Sequence, residues 1–132
     1  MSMQVIEAMS LGRGDVFDSR CPARGVLDHV TSKWAVLVLV ALRGRPLRYS
    51  ALRRAIGGVS EKMLAQTLRT LETDGFVRRE VVPTAPPQVT YSLTDLGQEV
   101  TTHLAGLLEW IDTHIPDVQR ARAERAAVQA GT

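Results

Sequence analysis

The 132-residue chain has little of several features on which whole protein classes depend. It has one cysteine, Cys21, which excludes an internal disulfide and a cage of cysteine ligands around a metal. Its longest unbroken apolar run, Trp34–Leu42, has nine residues, whereas a helix that crosses a bilayer needs about twenty. Residues 1–20 do not combine a basic start with an apolar block, so no secretory signal is expected. We therefore expect a cytoplasmic protein without a membrane partner.

The sequence also offers little material for catalysis. No Ser/His/Asp or Cys/His arrangement, glycine-rich phosphate loop or pair of carboxylates with catalytic spacing is recognisable. The three histidines, His29, His103 and His114, lack the spacing of metal ligands. The sequence therefore predicts a protein that is not an enzyme and that needs no metal or cofactor.

Net charge is also small, at +2, but it is distributed unevenly. Residues 21–100 carry eleven basic and seven acidic side chains, whereas residues 1–20 and 101–132 are each net negative by one. Fourteen of the sixteen cations are arginine, whose planar fork suits phosphate groups and guanine edges. This distribution permits nucleic-acid binding by the middle of the chain without requiring it.

The apolar content, 45%, is enough for one buried core, and its periodicity predicts mainly helices. The predicted elements are helices at about Pro22–Val30, Trp34–Leu42, Tyr49–Ile56 and Ser60–Asp74, strands at Val77–Val82 and Val89–Leu93, and a long helix after Thr94. The second segment also fits a buried strand, although a capping serine before it and Gly44 after it favour a helix. We expect Val26, Leu27 and Val30 to point inward and Pro116 to interrupt the last helix.

A proline-stiffened loop at residues 83–88 separates the two strands and predicts a hairpin. The order helix, glycine turn, capped helix, strand, loop, strand is that of a winged helix-turn-helix. The sequence therefore predicts an α+β fold, mostly α, with a two- or three-stranded wing sheet and flanking N- and C-terminal helices.

The helix from Ser60 to Asp74 has the two faces that reading DNA requires. The apolar stripe consists of Leu64, Leu68 and Leu71, and the polar stripe consists of Lys62, Gln66 and Arg69. Gln66 can pair with adenine, Arg69 with guanine, and Lys62 can neutralise a phosphate. A solvated helix face is the alternative interpretation of the polar stripe.

Other candidate DNA contacts surround this helix. Ser60 begins it and leaves free N–H groups for a phosphate. Met63 and Thr67 can touch thymine methyl groups or pack at the rim of the core. Arg48, Arg53 and Arg54 are candidates for contact with DNA phosphates. The alternative is that they are surface charges that only favour solubility. Arg79 fits a phosphate contact and an ion pair with Glu72 or Asp74 equally well.

Several ordered blocks resemble the HxlR family of winged-helix transcriptional regulators, which is related to the MarR type. The blocks include Cys21-Pro22, Ser32-Lys33-Trp34, 48–54 (RYSALRR), 59–64 (VSEKML), 68–75 (LRTLETDG) and 86–94 (PPQVTYSLT). The resemblance covers about Cys21 to Trp110 and implies a homodimer. It also implies three parts, namely an N-terminal arm (1–20) that contacts the dimer partner, a DNA-binding core (21–93), and a dimerisation helix with a polar tail (94–132). Gln88 stands where the family's wing has a basic residue, which predicts weaker wing contact with phosphate.

Two further features concern assembly and control. The candidate dimer interface consists of Leu104, Leu107, Leu108, Trp110 and Ile111. Cys21 fits either a small buried hydrophobe near the dimer seam or a sensor of oxidants and electrophiles, as in some HxlR members. Its place before a helix, between Arg20 and Arg24, favours the reactive thiolate form.

The predicted function is thus a sequence-specific, homodimeric transcriptional regulator that reads a pseudo-palindromic operator in double-stranded DNA. A small-molecule effector or modification of Cys21 would control it. The alternative is a winged-helix module for protein interaction that does not bind DNA.

Overall fold

The computed structural model describes residues 16–131, so most of the predicted N-terminal arm lies outside the described residues. The elements, in chain order, are α1 Pro22–Thr31, α2 Lys33–Ala41, β1 Leu47–Arg48, α3 Tyr49–Ala55, α4 Glu61–Thr73, β2 Val77–Val82, β3 Gln88–Leu93 and α5 Asp95–Ala130. This mostly helical architecture with a small antiparallel sheet confirms the predicted winged helix-turn-helix fold.

Side-chain caps begin three of the helices, as predicted. The hydroxyl oxygens of Ser32, Ser60 and Thr94 each accept a hydrogen bond from a backbone N–H three residues later, at 3.4, 3.1 and 3.0 Å. Gly75 follows α4 with φ +85°, a left-handed conformation that glycine adopts without strain. These signals explain why the predicted bounds of α1 to α4 and the predicted start of α5 agree with the structure to within a residue or two.

The sheet has three antiparallel strands in the order β1-β3-β2. Strands β2 and β3 pair along their length, from Val77 opposite Leu93 to Val82 opposite Gln88. Strand β1 adds two pairs, Leu47 with Tyr91 and Arg48 with Thr90. The two-residue β1 strand has no alternation that a sequence could show, and its partner lies more than forty residues away.

The core is built mainly by leucines from three helices. Fully buried leucines are Leu39, Leu42, Leu52, Leu64, Leu68 and Leu71. Helix α2 is apolar on all sides and lies at the centre, in contact with α1, α3, α4 and α5. Each fully buried leucine contributes about 1.5–3 kcal/mol by leaving water. The three leucines of α4 therefore fix which of its faces points outward.

Helix α1 corrects one prediction. Val30 is buried, but Val26 and Leu27 are nearly half exposed. The buried residue of α1 lies in its last turn, where the helix contacts α2 and α4. The earlier turns extend beyond the edge of the subunit core, so the inward stripe predicted for them is wrong.

Helix α5 corrects a second prediction, because it is 36 residues long and continues through Pro116 without interruption. Proline removes one backbone hydrogen bond, but Pro116 is exposed and water can solvate the freed carbonyl group. Only the first part of the helix is buried, at Gly97, Thr101, Leu104 and Ala105. Within residues 16–131, no helix combines the length and the apolar character that crossing a membrane requires.

Candidate nucleic-acid interface

Helix α4 presents its polar stripe to solvent. Leu64, Leu68 and Leu71 are buried beneath it. Lys62, Gln66 and Arg69, spaced four and three residues apart, are all exposed on the outer face. The helix is thus anchored by one side and free on the other, as the sequence predicts.

The N-terminal end of α4 follows a glycine turn and a serine cap. Gly58 has φ +83°, and Val59 behind it is buried. The Ser60 hydroxyl is committed to the N–H of Met63, at 3.1 Å. Ser60 therefore shapes the end of the helix with its side chain, and its contribution to anion binding would come from the free N–H groups around it.

Two side chains of α3 hold that end of α4. The Arg53 guanidinium forms an ion pair with the Glu61 carboxylate, with 2.9 Å between Nη1 and Oε1. The Tyr49 hydroxyl donates a hydrogen bond to the backbone carbonyl oxygen of Glu61 at 3.0 Å. The sequence predicts only a phosphate contact or a solvent-exposed charge for Arg53 and does not reveal this pair, because helix periodicity does not show which side of α4 faces α3.

The other end of α4 is held by α1. The His29 ring nitrogen Nδ1 contacts the carboxylate of Asp74, the C-cap residue of α4. These residues are 45 positions apart, so no local pattern reveals the pair. With Asp74 engaged by His29, the ion pair of Asp74 with Arg79 proposed from sequence is not formed. Arg79 instead borders a surface groove that Glu72 and Arg69 also line.

Met63 and Thr67, the two candidates on α4 for contact with thymine methyl groups, differ in exposure. Met63 is 38% exposed and can reach a ligand on the outer face. Thr67 is 9% exposed and lines a groove against α1 and α2 with His29 and Trp34. This burial favours the alternative interpretation of Thr67, packing at the rim of the core, over a direct contact with DNA.

Two further arginines remain available beside α4. Arg48 in β1 and Arg54 in α3 are both exposed. Arg54, together with Arg53, Tyr49 and Ser50, borders an open depression that reaches Glu61. This places a cluster of guanidinium groups next to the leading end of α4.

The hairpin of β2 and β3 forms the wing. Its loop, residues 83–87, contains no charged side chain, and the Thr84 hydroxyl donates to the Pro86 carbonyl oxygen at 2.7 Å. Gln88 pairs with Val82 at the base of the loop, and it is partly buried. The wing tip therefore offers no cation to a phosphate.

Cys21 is the N-cap residue of α1 and is 8% exposed. Each of the neighbouring arginines has a hydrogen-bond partner on the preceding segment. Arg20 pairs with Asp18 at 3.0 Å, and its hydrogen bonds hold the pKa of the Asp18 carboxyl below its ordinary value. Arg24 donates to the Val16 carbonyl oxygen at 3.3 Å. Oxidation of Cys21 would therefore first require its exposure.

The candidate dimer residues of α5 divide into two groups. Leu104 is buried within the subunit and Leu108 packs partly against the core, so Leu104 has little exposed surface to offer a partner subunit. Leu107, Trp110 and Ile111 are 42–54% exposed. The Trp110 ring stacks on His114, with 4.4 Å between ring centroids. No group of three metal-ligating side chains occurs within residues 16–131.

Comparisons with known proteins agree with this geometry. The HxlR-like helix-turn-helix family matches residues 29–119. The HTH-type transcriptional regulator YtfH of Escherichia coli K12 is 54% identical over 124 residues, which cover 94% of this chain and 98% of that protein. The solved structure of the transcriptional regulator YtfH from Salmonella typhimurium has a TM-score of 0.78 at 54% identity and covers 82% of this chain and 96% of its own.

A solved structure of the redox regulator HypR in its reduced form is also similar. It has a TM-score of 0.69 at 30% identity and covers 75% of this chain and 98% of that one. These similarities give no support to the alternative of a module that does not bind DNA.

Proposed function

Because the chain belongs to the HxlR-like helix-turn-helix family, we propose that this transcriptional regulator acts as a homodimer and reads a pseudo-palindromic operator with α4. The observation that carries the proposal is the arrangement of α4 itself. Its leucines are buried while Lys62, Gln66 and Arg69 are exposed on one outer face. An exposed helix of this kind fits the major groove of B-DNA.

The exposed side chains have distinct roles in this proposal. Gln66 pairs with adenine, Arg69 pairs with guanine, and Lys62 neutralises a nearby phosphate. Met63 contacts a thymine methyl group from the edge of the same face. Together they read sequence, and their spacing along α4 covers about two helical turns.

Arg48, Arg54 and the free N–H groups after Ser60 bind phosphates and fix the position of α4 on the duplex. The remaining donors of Arg53 assist them. Gln88 at the base of the wing lies beside the adjoining backbone and makes a weaker, uncharged contact. Because the wing tip is neutral, the affinity rests on α3, β1 and α4.

The exposed apolar side chains of α5 supply the dimer interface in this proposal. Leu107, Trp110 and Ile111, spaced three and four residues apart on one side of α5, are each 42–54% exposed and form one apolar patch. Two α4 helices about 34 Å apart would then enter successive major grooves. The parts of the chain would be the arm (1–20), the DNA-binding core (21–93) and the dimerisation helix with its tail (94–132), in a cytoplasmic protein.

Control would come from a small-molecule effector or from modification of Cys21, and the similarity to the redox regulator HypR supports a test of the second route. Either would shift the dimer between spacings that fit DNA and spacings that do not. The purified dimer on its DNA should be challenged with diamide, alongside Cys21→Ser. Release of the wild type alone supports a Cys21 sensor, and equal behaviour contradicts it.

The proposed function is tested by a mobility shift on the DNA upstream of the chain's own gene, with the salt concentration varied. Wild-type affinity should fall steeply with salt, with a slope of about −0.9 per phosphate contacted. Arg69→Ala should weaken binding by about 1–3 kcal/mol. The matched control is Arg122→Ala, an exposed arginine in the last part of α5. If the wild type did not bind the upstream DNA specifically at low salt, or if Arg69→Ala and Arg122→Ala lost equal affinity, the proposal would be contradicted.

A further inference from the structure

The leading residue of α4 is an acid, which is unexpected at the end of a helix that meets a polyanion. Glu61 is the first residue of α4, and its side chain is 72% exposed. A carboxylate that faces phosphates is repelled by them, and like-charge juxtaposition at an interface is costly. Glu61 therefore needs a contact other than a phosphate if α4 enters the groove end first.

The surroundings of Glu61 fix it in place. Arg53 Nη1 lies 2.9 Å from Oε1, and the Tyr49 hydroxyl holds the Glu61 backbone carbonyl at 3.0 Å. The Ser60 cap fixes the backbone on the other side. Among the residues that the structure describes, Oε2 of Glu61 accepts no hydrogen bond, so one carboxylate oxygen is positioned but unused.

Arg53 can serve Glu61 and DNA at the same time. Its side chain is 46% exposed, and a guanidinium has five N–H donors, of which the ion pair uses one. The other donors can reach a phosphate while Nη1 holds the carboxylate. The positive charge of Arg53 also offsets the repulsion between Glu61 and the backbone.

A carboxylate accepts hydrogen bonds but does not donate them, which narrows the DNA groups that it can contact. In the major groove, guanine presents only acceptors and thymine presents an acceptor and a methyl group. Adenine offers a donor beside an acceptor that repels a carboxylate, whereas cytosine offers its N4 amino group. The cytosine amino group is thus the best match for Oε2.

We infer that Glu61, held by Arg53, determines sequence specificity by accepting a hydrogen bond from the N4 amino group of one cytosine in each half-site. The inference rests on the proposed function, because it requires that α4 enter the major groove. It adds a base contact at the leading turn that the polar stripe of Lys62, Gln66 and Arg69 does not include.

A purely structural role for Glu61 makes a different prediction. An acid in the first turn stabilises a helix through its dipole. Loss of that effect would weaken binding to all duplexes equally and leave the preferred bases unchanged. Base preference at single positions therefore separates the two roles, whereas affinity alone does not.

The test begins with selection of duplexes from a random library by the wild-type dimer. Affinities for the selected duplex and for its single-base-pair variants are then measured by fluorescence anisotropy for wild type, Glu61→Ala, Glu61→Gln and Arg53→Ala. Glu72→Ala is the matched control, an exposed acid three turns further along the same helix. Thermal unfolding by circular dichroism verifies that each variant is folded, and the near-isosteric glutamine keeps the test valid if the alanine variant is unstable.

The wild type should prefer cytosine at one position of each half-site by about tenfold. Glu61→Ala should reduce that preference to about twofold or less and leave the other positions unchanged. Glu61→Gln should transfer the preference to adenine, whose donor and acceptor match an amide. Arg53→Ala should reduce the preference in part, and Glu72→Ala should retain it.

Selective binding by the wild type with unchanged preferences in both Glu61 variants would overturn this inference and leave the proposed function intact. A wild type that selects no sequence would overturn the proposed function, and the inference with it.

Discussion

The docking of α5 on the sheet yields a prediction that is specific to one glycine. A Cβ atom at Gly97 would overlap the Phe76 carbonyl oxygen and lie 3.0 Å from the Phe76 carbonyl carbon and 3.3 Å from Leu93 Cδ2. That carbonyl oxygen also accepts a hydrogen bond from the Thr94 N–H at 3.1 Å, so it cannot move freely. We expect Gly97→Ala to push the first turn of α5 away from the junction of α4 and β2.

The magnitude follows from two opposed effects. Alanine is favoured over glycine within a helix by about 1 kcal/mol. Overpacking costs about 1–3 kcal/mol, and occasionally more where the opposing atom is rigid backbone. The overlap at Phe76 places this site at the upper end, so the net loss of unfolding free energy should be about 2 kcal/mol.

Gly106 provides the matched control in the same helix. A Cβ atom there meets nothing within 4 Å, so Gly106→Ala should gain about 0.5–1 kcal/mol. Urea unfolding followed by circular dichroism measures both variants. Equal stabilities for Gly97→Ala and Gly106→Ala would refute the close approach of α5 to Phe76. Because Phe76 joins α4 to the wing, Gly97→Ala should also weaken DNA binding.

Two further predictions concern the contact between His29 and Asp74 and the dimer interface. His29→Ala and Asp74→Ala should each destabilise the fold slightly. Because the pair is partly exposed, a double-mutant cycle by urea unfolding should give a coupling free energy of about 0.5 kcal/mol. A coupling of zero would contradict a positioning role for the pair. Trp110→Ala should weaken dimerisation by about 2 kcal/mol or more, measured by sedimentation equilibrium. The control is Gln119→Ala, at an exposed polar position of the same helix, which should leave dimerisation unchanged. Equal dimerisation of the two variants would show that Trp110 is not in the interface.

Local sequence signals predict most of the fold because helix periodicity and caps act over a few residues. Ser60 and Gly75 bracket α4, and Leu64 and Leu68 determine its inward face. The same periodicity predicts that Gln66 and its polar neighbours are exposed. The central element of the candidate site can therefore be obtained from the sequence without tertiary information.

The features that the sequence does not reveal depend on contacts between distant segments. Strand β1 exists because it pairs with β3, and His29 meets Asp74 across 45 residues. Thr67 fits an outward position on a helical pattern, but the approach of α1 and α2 buries it. Pro116 is a helix breaker by propensity, yet the helical context on both sides carries α5 through it.

In the proposed complex, α4 lies in the major groove with Arg69 at a guanine edge. Dimethyl sulfate methylates guanine N7, which lies in that groove, so protection from methylation on the bound operator measures the contact directly. We predict two protected guanine tracts about 10 base pairs apart with the wild-type protein, and loss of that protection with Arg69→Ala at equal occupancy. Unprotected guanines in a specific complex, or protection that Arg69→Ala leaves unchanged, would contradict this placement of α4 and Arg69.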